Sequence, residues 1–216
     1  MFRKGSLLRE LPTLVVVALV VSLFIKSFLV QFFYIPSGSM ENTLQINDRV
    51  AVNKLPFVSS KINRGDVVVF RDPASWLPEQ DSGSESNLRM KIKDGLVLVG
   101  VLPNPAKQYL VKRVIGIAGD RIVCCKNKKL TINGTPVSEP YIFKGNNPSD
   151  LTFDIKVAPG KIWVMGDHRG ASADSRYHQD DINKGQVPLS RVTGRVFAVI
   201  WPFNNAKIVP SVPVLK

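Results

Sequence analysis

The sequence predicts a mainly β domain carried behind one apolar helix, and three observations predict it. Short runs rich in valine and isoleucine recur after Asp48, separated by clusters of glycine, proline, asparagine and aspartate, the pattern of strands and turns. Residues 11–34, LPTLVVVALVVSLFIKSFLVQFFY, hold a single charge at Lys26 and are long enough to span a bilayer. Outside that stretch no segment repeats apolar residues at helical spacing with comparable strength. With 216 residues, 44% hydrophobic and 21% charged, the chain can bury a core and is not disordered by composition.

Taken in order, residues 1–10 are a short N-terminus bearing Arg3, Lys4 and Arg9. The apolar run 11–34 follows. At about 1.5 Å per residue it covers roughly 36 Å, against a hydrocarbon core of about 30 Å. Lys26 lies close enough to the far interface for its stem to snorkel to the headgroups. The next charge is Glu41, so the positive-inside rule keeps the N-terminus in the cytoplasm and sends residues 35–216 across. A cleavable signal peptide is the alternative, but bulky VQFFYIP stands where a small-x-small cleavage site belongs. The expectation is an uncleaved single-pass anchor.

Beyond it, RVAVNKL, DVVVF, YLVKRVIGI, RIVCC, KLTINGTPV, KIWVMG and RVTGRVFAVIW read as strands, and the Asn-Gly pair in TINGTP signals a hairpin. Residues 71–108 break the pattern with a Ser-rich acidic stretch and several prolines, an excursion from the sheet with a short amphipathic piece at 90–101. The two cysteines, Cys124 and Cys125, are adjacent; they read as small strand residues, since neighbours rarely close a relaxed disulfide and lack metal-site spacing. No metal or other cofactor is expected. The net charge of +12 suits an anionic membrane surface or nucleic acid. The orientation predicted by the anchor takes the domain out of the cytoplasm, which favours the lipid bilayer and excludes nucleic acid.

The candidate chemistry starts at PSGSM, where Ser37 and Ser39 flank a glycine just beyond the apolar run. A serine hydroxyl needs a base to become a nucleophile. His178 with Asp180 or Asp181 is one candidate set, and His168 in GDHRG is the other histidine. Lys112 is a third candidate base. In an alternating strand it shares a face with Leu110 and Val114, while Val111 and Arg113 take the other. Neutral lysine at pH 7 costs roughly 4.6 kcal/mol from a reference pKa of about 10.4. Burial lowers such a pKa by as much as ~3–5 units, which removes most of that cost. From periodicity alone, Lys112 is equally a residue that snorkels from a sheet edge.

Five blocks in order, the apolar run, PSGSMENTL, RGDVVVF, KRVIGIAGD and GDHRGASADSR, resemble the bacterial type I signal peptidases, membrane-bound Ser-Lys proteases that remove signal peptides from exported proteins. The resemblance runs over nearly the whole chain. It implies an antiparallel β catalytic domain with Ser39 as nucleophile and Lys112 as general base. It implies Ser37 as an oxyanion-hole hydroxyl and Ser172 as the serine that orients the lysine. It implies a supporting ion pair of Asp174 with Arg176, and substrate pockets lined by Ile35, Met40, Leu44, Val111 and Ala173. The implied substrates are preproteins cut at small-x-small sites beside the protein-export machinery, on the outer face of the cell membrane. Three positions depart from the family pattern: Glu41-Asn42 where proline commonly follows one variable residue, Ala118 for proline, and His168 for asparagine. Two rivals are a self-cleaving repressor with the same dyad and a catalytically dead, tethered binding protein. The anchor opposes the first, and the intact Ser39, Lys112 and Ser172 set opposes the second.

Overall fold

The structure, a computed structural model, describes residues 7–54, 62–78, 108–126 and 129–212, with backbone only at 7–9, 22–28 and 126. Helix α1 spans Leu7–Phe28 and strand β1 spans Val30–Tyr34. The apolar run 11–34 is therefore not one helix, which corrects the expected anchor boundary. In VQFFY, Phe33 is buried while Phe32 and Tyr34 are exposed, a two-residue period of good strand formers. Continuous apolarity hides that period in the sequence. Among the described residues no helix is long and apolar enough to cross a membrane.

The remaining strands are β2 (Arg49–Asn53), β3 (Val67–Arg71), β4 (Tyr109–Ile117), β5 (Arg121–Lys126), β6 (Lys129–Ile132), β7 (Thr135–Pro136), β8 (Phe153–Lys156), β9 (Lys161–Met165), β10 (Val187–Pro188), β11 (Val192–Trp201) and β12 (Lys207–Ile208). They form two antiparallel sheets, the larger in the order β1-β2-β11-β3-β4-β9-β10 with β12 beside β11, the smaller in the order β7-β6-β5-β8. The mainly β antiparallel class predicted from sequence is the one observed. β3 is central and covered on both faces, which explains its unbroken apolar run VVVF. Val67 and Val69 pack with Phe33, Val50 and Val196 on one side, whereas Val68 and Phe70 pack with Leu110, Ile162 and Val164 on the other. The third core lies over the smaller sheet, where Ile122, Leu130 and Ile132 meet Ile115, Trp163 and Met165. β4 pairs with β3 from Tyr109 to Arg113 and with β9 only from Arg113 onward. That offset leaves one edge of residues 109–112 open.

The TINGTP hairpin is present, with Asn133 and Gly134 at φ +52° and +83°, the mirror-image turn that Asn-Gly favours. Cys124 and Cys125 lie in β5 as expected, with Cys124 buried in the third core and Cys125 packed against it. Of the 71–108 excursion, residues 71–78 and 108 are described; the amphipathic piece at 90–101 lies outside the described residues.

Candidate active site

Ser39 sits in a one-turn 3-10 helix, Gly38–Met40, that follows β1. Two backbone bonds pin the entry: Ile35 N–H donates to Asp48 O at 2.9 Å, and Asn47 N–H donates to Ile35 O at 2.9 Å. Met40 and Leu44, at 1% and 0% exposure, fasten the turn to the core beneath β2 and β3. Asn42 closes it with φ +86° and donates from Nδ2 to Tyr141 O at 3.0 Å. Proline, locked near −65°, has no access to that conformation. The departure from the family pattern here is therefore a differently built turn, tied to the 141–142 backbone.

Lys112 comes from β4, opposite Val68, on the face shared with Leu110 and Val114 as alternation requires. It is only 4% exposed, which removes the reading as a snorkelling edge residue. Its Nζ lies 2.6 Å from Ser39 Oγ. Burial lowers the Lys112 pKa from 10.5 to about 8, against the nearby charges of Asp174 and Asp167, which pull it up. The free amine, the form able to accept a proton, is thus within reach near neutral pH.

Around the lysine stands a buried polar shell. Ser172 Oγ donates to Asp174 Oδ2 at 2.8 Å, and Gly166 N–H donates to the same oxygen at 2.9 Å. Asp174 pairs with Arg176, Nε to Oδ1 at 2.8 Å, with both side chains fully buried. Arg176 also donates to the carbonyls of Arg169 and Ser172. The Ser172 hydroxyl thus binds Asp174, the partner of Arg176, rather than Lys112. Ser37 is exposed at the mouth of the cleft and makes no side-chain capping bond, so turn capping does not account for it.

A cleft of about 430 Å³ joins these groups: Ser37, Ser39 and Lys112 line it together with Ile35, Met40, Val111 and Ala173. Leu44 does not line it; that side chain is core, packed in the cluster of Met40. Neither histidine competes for Ser39. His168 Nδ1 lies 2.8 Å from Glu41 Oε2 and its ring stacks on Phe143 at 4.1 Å. His178 stacks on Trp76, and its Nε2 is buried without a hydrogen-bond partner.

Sequence reasoning missed the floor of the site. Arg113 is chelated by Asp167, Nε to Oδ1 at 2.8 Å and Nη2 to Oδ2 at 2.6 Å, and Thr43 Oγ1 donates to the same carboxylate at 2.5 Å. An arginine inside an apolar strand requires a buried carboxylate, and that requirement was the available signal. The pair couples β4, the turn that carries Ser39 and the loop after β9. Gly166 is the other omission. A Cβ there would lie 2.3 Å from Ser172 Oγ and 2.5 Å from Ser39 O, so only glycine lets the two serine segments meet. Among the described residues no cluster of His, Cys, Asp or Glu could hold a metal ion.

The arrangement can deprotonate a serine beside an apolar cleft. Residues 8–201 match the signal peptidase family, peptidase S26. A signal peptidase I of Mycobacterium tuberculosis is 36% identical over 229 residues, covering 97% of this chain and 78% of the relative. A probable signal peptidase I of Mycobacterium leprae is 36% identical, covering 93% and 78%. Among solved structures, a signal peptidase I from Enterococcus faecalis aligns with a TM-score of 0.40 and 24% identity, covering 63% of this chain and 97% of that one.

Proposed function

Because the chain belongs to the signal peptidase family, peptidase S26, and is a serine endopeptidase that cleaves signal peptides, we propose that Ser39 is its nucleophile and Lys112 its general base. The observation that carries this assignment is the 2.6 Å separation of Lys112 Nζ and Ser39 Oγ at the end of an apolar cleft. Neutral Lys112 accepts the Ser39 proton as Oγ attacks the scissile carbonyl, and the resulting ammonium protonates the leaving amine. The acyl-enzyme is then hydrolysed by water that Lys112 deprotonates. Ser37 and the Ser39 backbone N–H hold the oxyanion. Asp174 and Arg176 keep Ser172 in place beside the lysine. The open edge of β4 at Tyr109–Lys112 takes the extended substrate as an added strand. Ile35, Met40, Val111 and Ala173 contact its small side chains.

The N-terminal segment serves as the membrane anchor, with the catalytic domain on the outer face. Supporting this, the described apolar side chains of α1 from Leu11 to Val21 are 48–60% exposed, an uncovered surface suited to lipid. Ser39 lies eleven residues past the end of α1 at Phe28. At about 3.3 Å per residue it therefore works within roughly 36 Å of the membrane surface, where a signal peptide's apolar core ends.

The test is to incubate the detergent-solubilised protein with a preprotein bearing an Ala-x-Ala site, comparing wild type, Ser39→Ala and Lys112→Ala and sequencing the product termini. Cleavage after the second alanine by wild type alone is expected. Cleavage that survives in Lys112→Ala would remove the lysine from the mechanism.

A further inference from the structure

Where the chain leaves β3 and where it returns to β4, it is fastened by bonds that acyl transfer does not require. The Asp72 carboxylate accepts from the backbone N–H groups of Ala74, Trp76 and Leu77 at 3.0, 2.9 and 2.8 Å. Asp72 N–H donates to Gln108 O at 3.0 Å, and Gln108 Nε2 donates to Pro78 O at 2.9 Å, so the two roots are stitched together. Trp76 is then clasped from the far side. Its indole stacks on His178 at 4.5 Å with ring planes 6° apart, and its Nε1–H donates to Asp181 Oδ2 at 2.7 Å.

The consequence at the cleft is Leu77. It follows the buried Trp76, packs against the cluster of Phe70 and Leu110, and lines the cleft with Gln108 and Tyr109. Gln108 is four residues before Lys112, so at about 3.3 Å per residue its backbone lies roughly 13 Å along the chain from that of Lys112. An extended substrate along β4 covers that distance in four residues. The cleft wall from Val111 out to Leu77 is largely apolar and therefore matches the signal-peptide side of the scissile bond, which carries the apolar core. A polar side chain placed there loses its hydration without gaining a partner.

We propose that Leu77 is a specificity-determining residue, receiving an apolar side chain at the fourth or fifth position before the scissile bond, and that Trp76, clasped by His178 and Asp181, is the positioning residue that presents it. The proposal rests on the protease assignment above and adds a binding position outside the small-x-small pair.

Its test uses the full chain in detergent and two preproteins identical except for leucine or glutamine at the fourth and fifth positions before the cleavage site. The readout is the ratio of kcat/KM for the leucine substrate over the glutamine substrate. Leu77→Gln should lower that ratio roughly tenfold, the scale of one apolar contact in a specificity pocket. Leu77→Met, which keeps size and polarity, should retain it. Trp76→Phe keeps a ring on His178 but removes the donor to Asp181, and should lower the ratio through KM with kcat little altered. An identical ratio in wild type and Leu77→Gln, with Leu77→Met active, overturns the proposal and leaves the protease assignment standing. A wild type that cleaves neither preprotein overturns the protease assignment, and this proposal with it.

Discussion

At the scale of single residues, Lys112 as the proposed base should decide the pH behaviour. Burial brings its pKa to about 8, so close to a tenth of the enzyme holds the free amine at pH 7. The rate constant kcat/KM should therefore rise about tenfold per pH unit below that value and level off above it. The same group depresses stability. Between about 8 and 10.5 the unfolded lysine binds a proton that the folded one lacks, so folding stability increases with pH across that window and is lowest below it. The fall from 10.5 to about 8 corresponds to roughly 3 kcal/mol. Lys112→Met, apolar and of similar length, should abolish cleavage and raise Tm by several degrees at pH 7 in a thermal melt. An unchanged or lower Tm would mean that the surrounding carboxylates compensate the buried charge fully. Ser37, the proposed oxyanion donor, belongs to the other side of the reaction. Its hydroxyl at the cleft mouth should be worth about 2.7–4 kcal/mol to the oxyanion. Ser37→Ala should thus lower kcat roughly 10²–10³-fold, leaving KM close to wild type in steady-state assays.

Between elements, the site depends on how the loop after β9 meets the nucleophile turn after β1. His168 N–H donates to Ser39 O at 3.1 Å, and Gly166 leaves room for Ser172 at that junction. Gly166→Ala would force its methyl against Ser172 Oγ and the Ser39 carbonyl, so activity should fall by more than tenfold while the sheets, and the far-ultraviolet spectrum, stay intact. Retained activity would show that the two segments can separate without cost to the reaction. Elements also mark how far the sequence could be read. The strands after Asp48 were legible because valine and isoleucine runs end at turn residues, and Asn133-Gly134 announced its hairpin. β1 was not, because QFFY continues an apolar stretch whose period is visible only once Phe33 is seen to be buried and Tyr34 exposed. Lys112 stood out as a charge in an apolar strand, whereas its neighbour Arg113 passed unexplained. Its partner, Asp167, is brought to it by the β4–β9 pairing, and no local pattern encodes that contact. The matched blocks pointed to Ser37, Ser39 and Ser172 as candidates; the Trp76 clasp belongs to no such block.

For the whole molecule, the boundary between the proposed anchor and the enzyme fixes what can be removed. β1 begins at Val30 and supplies the partner of β2 along its full length, from Val30 opposite Asn53 to Tyr34 opposite Arg49. Phe33 of β1, 5% exposed, is part of the core under the nucleophile turn. A chain lacking residues 1–28 therefore keeps every sheet partner. It should fold, and it should cleave a short soluble peptide at the rate of the full chain. A chain lacking residues 1–34 loses the β2 ladder partner and a buried phenylalanine, whose removal alone costs about 3–5 kcal/mol. It also frees the β2 edge for intermolecular pairing. It should aggregate or melt far below the chain lacking only residues 1–28. The two substrates then separate folding from anchoring. With a preprotein held in vesicles, the full chain works against substrate confined to the same surface, at an effective concentration of the order of millimolar. The 1–28 truncation meets that substrate only from solution, so its cleavage of the vesicle-bound preprotein should drop at least tenfold while cleavage of the soluble peptide does not. Equal losses on both substrates would mean that α1 supports the catalytic fold itself. Equal rates on both would mean that the domain reaches the bilayer without its N-terminal helix.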